Sequence, residues 1–261
     1  MKRTTVIFIA ATLALLPLSS CIKENRNDCP CWIEFDFSHL ECRNRQDVYT
    51  SVWDERNPIH TVFRIMPSSS YVVQLGKGTH EVTCFTGVHN SRVSNGVVTI
   101  PKGFQADSLL AYTQRVECVE ETSYCVPLPH RQFATVNMTI VDGNLANTVT
   151  QINILSDIAG LDCRTITPRK GELEFSLMVN ESNEYRFRVP RQTLSSTLDM
   201  EFVNEDGTSE TLPLGSWIVA SGYDWYAADL EEVDVVIDKA ESKVTVSIAG
   251  WTGGSQYIVD L

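Results

Sequence analysis

The chain has 261 residues, 43% of them hydrophobic and 21% charged, a composition that fits a globular protein and excludes a disordered one. Its formal net charge is −12, which disfavours nucleic acid and anionic phospholipid as partners.

At the N-terminus, Lys2 and Arg3 precede an apolar run from Val6 to Leu16 broken only by Thr12. Eleven residues at the helical rise fall well short of a hydrocarbon core about 30 Å thick, so the run is not a membrane span. It has the pattern of an export signal, which assigns residues 1–20 to a signal peptide. Leu18-Ser19-Ser20-Cys21 then resembles the bacterial lipobox: an aliphatic residue, two small residues for a peptidase to close around, and an acceptor cysteine. Cys21 is therefore expected to carry lipid, with residues 21–28 as a polar tether. Removal of residues 1–20 takes Lys2 and Arg3 with it, leaving 241 residues at −14. Attachment to a membrane then rests on acyl chains, at about 0.8 kcal/mol per buried methylene, and not on a basic patch. No other stretch approaches 18 consecutive apolar residues.

Eight cysteines fit an oxidising compartment: Cys21, Cys29, Cys31, Cys42, Cys84, Cys118, Cys125 and Cys163. With Cys21 lipidated, seven remain, and an odd number cannot all pair. Cys118 and Cys125 are close enough in sequence to staple a loop and form the candidate disulfide. Cys29 and Cys31, one residue apart, would make a strained ring.

From residue 29 onward, period-2 alternation dominates. Ile33, Phe35 and Phe37 alternate with Glu34 and Asp36; Ile59 to Ile65 alternates; Tyr71 to Leu75 and Glu81 to Phe85 flank Gly76-Lys77-Gly78, which predicts a hairpin. Val97–Ile100 and Leu109–Val116 close a first set, and Pro127 and Pro129 stiffen a connector. A second set holds Val136–Val141, Thr150–Leu155, Leu173–Val179, Tyr185–Val189, Leu198–Phe202, Val233–Ile237 and Val244–Ile248, with Glu205-Asp206-Gly207 as a hairpin turn. Only Leu145–Val149 and Ala227–Glu232 suggest short helical turns. Alternation with one face buried points to antiparallel sheets. The reading is an all-β chain of two antiparallel β-sandwich domains in series, residues 29–128 and 129–261.

No catalytic constellation emerges, so the chain is not expected to be an enzyme. Gly76-Lys77-Gly78-Thr79 lacks the earlier glycine and the following helix of a phosphate loop. His39, His60, His80, His89 and His130 are scattered, His80-Glu81 opens no zinc motif, and neither metal nor cofactor is implied. The acidic pairs Glu120–Glu121 and Glu231–Glu232 read as solvated surface, and Asp142-Gly143-Asn144 as a turn rather than a calcium loop. Trp217, Tyr223, Trp225 and Tyr226 form an aromatic group that suits either a binding platform or core packing. At the C-terminus, Gly253-Gly254 gives hinge freedom, and Tyr257, Val259 and Leu261 alternate with Ile258 and Asp260. This is a short strand that either completes the second domain or is donated to a neighbour.

The layout resembles the FimB-like fimbrial anchor lipoproteins of Bacteroidota. The resemblance spans the chain and rests on five stretches: the lipobox followed by Asp28-Cys29-Pro30; Trp32-Ile33-Glu34-Phe35-Asp36-Phe37; Tyr71 to Val82; Gly222-Tyr223-Asp224-Trp225 with Asp229-Leu230 and Val233 to Asp238; and Lys243 to Trp251. It implies transthyretin-like sandwiches, lipid anchoring in the outer membrane with exposure at the cell surface, and partnership with fimbrial stalk or accessory subunits by strand complementation. Asp107-Ser108-Leu109 also resembles the O-glycosylation motif of these bacteria. The competing expectation is a non-polymerising surface lipoprotein that binds a glycan or host protein through its loops.

Overall fold

The computed structural model describes residues 29–40, 47–53, 59–64, 70–141, 149–239, 241–248 and 257–260. Cys21, the signal peptide, Cys42, Asp142-Gly143-Asn144, Trp251, Gly253-Gly254 and Leu261 lie outside the described residues. The first part of the chain supplies β1 (Pro30–Asp36), β2 (Asp47–Trp53), β3 (Ile59–Arg64), β4 (Ser70–Gly76), β5 (Gly78–Thr86), β6 (Arg92–Ser94), β7 (Val97–Thr99), β8 (Leu110–Cys118), β9 (Thr122–Cys125) and β10 (His130–Arg131). The second supplies β11 (Phe133–Val141), β12 (Val149–Asp162), β13 (Thr167–Met178), β14 (Glu184–Pro190), β15 (Leu198–Asn204), β16 (Ser209–Leu212), helix α1 (Leu214–Ala220), β17 (Glu232–Asp238), β18 (Lys243–Ile248) and β19 (Tyr257–Asp260).

The fold is all-β, as expected, and α1 is the one α-helix among the described residues. A three-stranded sheet, β4-β1-β9, faces a five-stranded sheet, β10-β8-β5-β2-β3. Alternation places Cys31, Ile33 and Phe35 of β1 inward, where they meet Val82 and Cys84 of β5 and Val116 and Cys118 of β8 in one apolar cluster. A second five-stranded sheet, β14-β11-β17-β18-β19, faces the sheet β16-β15-β12-β7-β6, to which β13 adds by pairing with β12. Between these two lies the larger core, built around Met138, Ile152, Phe187, Phe202 and Trp225.

Three features depart from the sequence reading. The pairing is not purely antiparallel: β1 runs parallel to β9, and β11 parallel to β17. Period-2 alternation is the same in both arrangements, so the pattern does not distinguish them. Gly76-Lys77-Gly78 is not a hairpin, because β4 pairs with β1 while β5 pairs with β2 and β8; the turn is a corner between sheets. By contrast Asp206-Gly207 does close the hairpin of β15 and β16, with Gly207 at φ 83°. Finally, the β6–β7 ribbon from the first half pairs with β12, the longest strand of the second. Phe85, Val98, Leu109, Ala111, Leu161 and Cys163 pack this joint into a third cluster.

Helix α1 buries Leu214, Trp217 and Ile218, an i, i+3, i+4 stripe. It ends in a Schellman motif: the Gly222 N–H bonds the Val219 carbonyl at 3.0 Å, the Tyr223 N–H bonds that of Ile218 at 3.4 Å, and Gly222 takes φ 88°. Ala227–Glu231 is bent, irregular chain rather than helix, and Glu232 already begins β17.

Candidate functional site

With no catalytic group to build around, the functional features are strand edges, exposed sheet faces and buried polar clamps. The C-terminal strand β19 lies at the edge of its sheet, paired antiparallel with β18 from Lys243↔Asp260 to Val246↔Tyr257. Val259 packs partly on the large core, while Ile258 points outward. A four-residue ladder on one side only is the weakest attachment in that sheet.

In the first half of the chain the three-stranded sheet presents its outer face. Trp32 is 41% exposed, Val72 47% and Tyr124 72%. The register puts Val72 and Tyr124 on either side of Glu34, with Trp32 one alternation away. Val119, Val126 and Leu128 add exposed apolar surface on the segments flanking β9. Among the described residues no strand pairs with the outer edge of β9.

The aromatic group of α1 and the loop after it is mostly core, not platform. Trp217, Tyr223 and Trp225 are buried, and only Tyr226 is exposed. The Tyr223 hydroxyl donates to the Glu231 carbonyl at 2.8 Å, and the Tyr223 and Trp225 rings meet edge to face at 4.7 Å. The loop is held from beneath by Arg191, whose side chain is buried. Its Nε donates to Gln132 Oε1 at 2.9 Å, Nη1 to the Trp225 carbonyl, and Nη2 to the carbonyls of Ala227 at 2.8 Å and Ala228 at 3.1 Å. Burial lowers the pKa of this guanidinium, opposed by the fields of Tyr223, Asp224 and Asp229. Asp229 in turn accepts from the Arg131 N–H at 2.6 Å and lies 2.8 Å from His130 Nδ1. Sequence reasoning missed Arg191; nothing in Val189-Pro190-Arg191 marks a buried cation.

Asp107 is a second buried clamp. Its carboxylate accepts backbone N–H bonds from His89, Asn90 and Ser91 at 2.9–3.1 Å. Burial alone would raise the carboxyl; those donors outweigh it and hold the group below the usual carboxylate range. The acid of the Asp107-Ser108-Leu109 motif is thus engaged in tying down a loop.

The acidic pairs are separate groups: Glu120 and Glu231 are exposed, Glu121 lends its carbonyl to the Trp32 N–H at 2.8 Å, and Glu232 is ion-paired with Arg186 at 3.1 Å. Among the described residues no cluster of three or more His, Cys, Asp or Glu side chains has the geometry of a metal site.

Cys118 and Cys125, the candidate disulfide, both lie in the apolar interior between the first two sheets. Both are free, buried thiols with different neighbours. The Cys118 thiol meets that of Cys31 and the Ser123 hydroxyl, whereas that of Cys125 meets the Tyr112 hydroxyl. Burial pushes Cys118 up to about 12 and Cys125 up to about 11. They are close in sequence, but Cys118 ends a strand of one sheet and Cys125 a strand of the facing sheet.

Solved structures share this all-β fold. The fimbrial anchor protein Mfa2 from Porphyromonas gingivalis superposes with a TM-score of 0.62 at 12% identity, over 85% of this chain and 98% of that one. A candidate polysaccharide-binding protein from Bacteroides thetaiotaomicron gives 0.61 at 10% identity, over 88% and 98%. A candidate adhesin from Bacteroides ovatus gives 0.60 at 11% identity, over 88% and 95%. The chain therefore has the fold of fimbrial-anchor-like proteins, the fold implied by the resemblance. No family model matches the chain, and no curated protein matches it.

Proposed function

We propose that this chain is a surface-displayed fimbrial anchor or accessory subunit, held in the outer membrane by lipid on Cys21 and joined to a neighbouring subunit by strand complementation. The observation that carries the reading is the fold shared with a fimbrial anchor over 85% of this chain and 98% of the anchor. The edge position of β19 supports the exchange of the tail. Strand addition supplies main-chain hydrogen bonds, and alternate side chains supply specificity. Tyr257, Val259 and Leu261 are the donated set. The lipobox supports the anchor, and the acidic chain leaves lipid as the means of membrane attachment.

The test is deletion of residues 255–261 in the exported protein. The truncated chain is expected to remain folded and acylated, and to lose co-purification with fimbriae from detergent-solubilised membranes. Retention of fimbriae refutes tail exchange; failure to fold shows that β19 belongs to the core. Cys21→Ala is expected to abolish fatty-acid labelling without altering the β signal in circular dichroism, and equal labelling of the variant refutes the anchor.

A second reading, binding of a glycan or host protein, is favoured by one observation. Trp32, Val72 and Tyr124 form an exposed apolar face, a more accessible surface than the buried aromatic loop.

A further inference from the structure

Cys31 is the first inward-facing residue of β1, and Cys118 the last residue of β8. They belong to opposite sheets and are 87 positions apart in the sequence, yet the topology brings them together. After β8 the chain turns through residues 119–121 and enters β9, which runs parallel to β1. The turn is fixed to β1 by the bond from the Trp32 N–H to the Glu121 carbonyl. The end of β8 is thereby delivered beside the start of β1. The Cys31 sulfur lies 3.8 Å from Ser123 Oγ, and the Cys118 thiol interacts with both Cys31 and Ser123. Both cysteines are closed to solvent, Cys31 at 0% and Cys118 at 1% exposure.

We infer that Cys31 and Cys118 are the native disulfide of the exported protein, stapling the three-stranded sheet to the five-stranded sheet that faces it. The bond needs the two sulfurs to close from contact to about 2.05 Å. Each thiol loses one proton and the pair gives up two electrons. These reduce the disulfide of an oxidised thiol–disulfide carrier to its dithiol, through a mixed disulfide with one of the two cysteines. The attacking species is a thiolate, and the burial that disfavours ionisation of Cys118 makes it scarce once the sandwich has closed. Pairing therefore occurs while the chain folds, and folded, reduced protein stays reduced.

The experiment uses the full chain with its own leader, purified from cells that export it and quenched with N-ethylmaleimide before lysis. Trypsin leaves Cys29, Cys31 and Cys42 on one peptide and Cys118 with Cys125 on another. Chymotrypsin, cutting after Trp32, Leu40 and Tyr124, separates Cys31 from Cys42 and Cys118 from Cys125, and a Cys29→Ser variant removes the remaining ambiguity. The expected result is a Cys31–Cys118 linked peptide that dithiothreitol separates. Maleimide on both residues, or a link from either to another cysteine, overturns the inference. Stability supplies a second readout that does not depend on the variant's expression. Reduction of the unfolded wild-type protein, followed by refolding, is expected to lower Tm by roughly 10 °C. A Tm unchanged after both thiols have been released also overturns it.

Discussion

Two sheets of this molecule begin alike and end differently. In each half the first strand is central, with an antiparallel partner on one side and a parallel partner on the other: β1 between β4 and β9, β11 between β14 and β17. In the second half two more strands follow, β18 and β19, covering the outer edge of β17. In the first half the described strands stop at β9, which is only four residues long. One sheet is thus a completed version of the other, and its last place is filled by the C-terminal tail. The difference teaches where an additional strand would fit. A parallel strand with an unpaired edge offers N–H and C=O groups to an incoming chain, and a short edge limits unwanted pairing.

The comparison can be broken most strongly through Arg191. Its guanidinium holds the loop that feeds β17, whereas β9 enters its sheet from a turn of three residues. Arg191→Met takes the guanidinium from the carbonyls of Trp225 and Ala227 and leaves that of Ala228 with Gln132 Nε2 alone at 3.5 Å, and an expected cost of about 3–4 kcal/mol appears in urea unfolding. A loss below about 1 kcal/mol means that this loop does not depend on the clamp.

The seam between the halves is the next target. A Cβ at Gly160 would lie 2.2 Å from the Val98 carbonyl oxygen, so Gly160→Val forces β7 from β12. We expect about 2–3 kcal/mol of destabilisation and a split of the unfolding curve into two transitions. A single, unshifted transition would show that the halves do not lean on this seam.

Asp107→Asn is expected to cost about 1–2 kcal/mol at neutral pH. The folded carboxyl titrates below its ordinary value of 3.8. Its contribution is therefore fully present above the unfolded value and is lost as pH falls through the lower, folded one. Urea midpoints from pH 7 down to pH 3 should fall more steeply for the wild type than for the variant; parallel curves contradict the assignment. The smallest effect on stability is expected at the open sheet. Trp32→Ser and Tyr124→Ser change it by about 0.5 kcal/mol or less. Either should nonetheless weaken partner capture in pull-down from surface extracts if that face is an interface.

Much of the strand inventory is legible in the sequence. In β14 the buried and exposed residues follow the apolar and polar ones position by position, and in β1 they do so from Ile33 onward. β2 escaped because Thr50 and Ser51 are buried beside Val48 and Val52, so no alternation survives. α1 escaped although Leu214, Trp217 and Ile218 have helical spacing; seven residues between Pro213 and Gly222 make a short signal. What sequence patterns carry least well is non-local. Parallel neighbours, the corner at Lys77 and the meeting of Cys31 with Cys118 depend on which sheet a strand joins, and the residue pattern of the strand itself does not encode that. The candidate tail was readable as a strand, but its pairing with β18 was not.

The placement of β1 bears on how the molecule carries load. A strand at the rim of a sheet peels away one bond at a time. β1 is instead gripped on both flanks, over seven residues by β4 and four by β9, with the Trp32–Glu121 bond near the end where the chain enters. Tension applied through the residues that precede Pro30 must shed two ladders together before the first strand can leave. In the arrangement proposed above, with lipid on one side and a filament on the other, the strand nearest the tether is held against unzipping on both of its flanks.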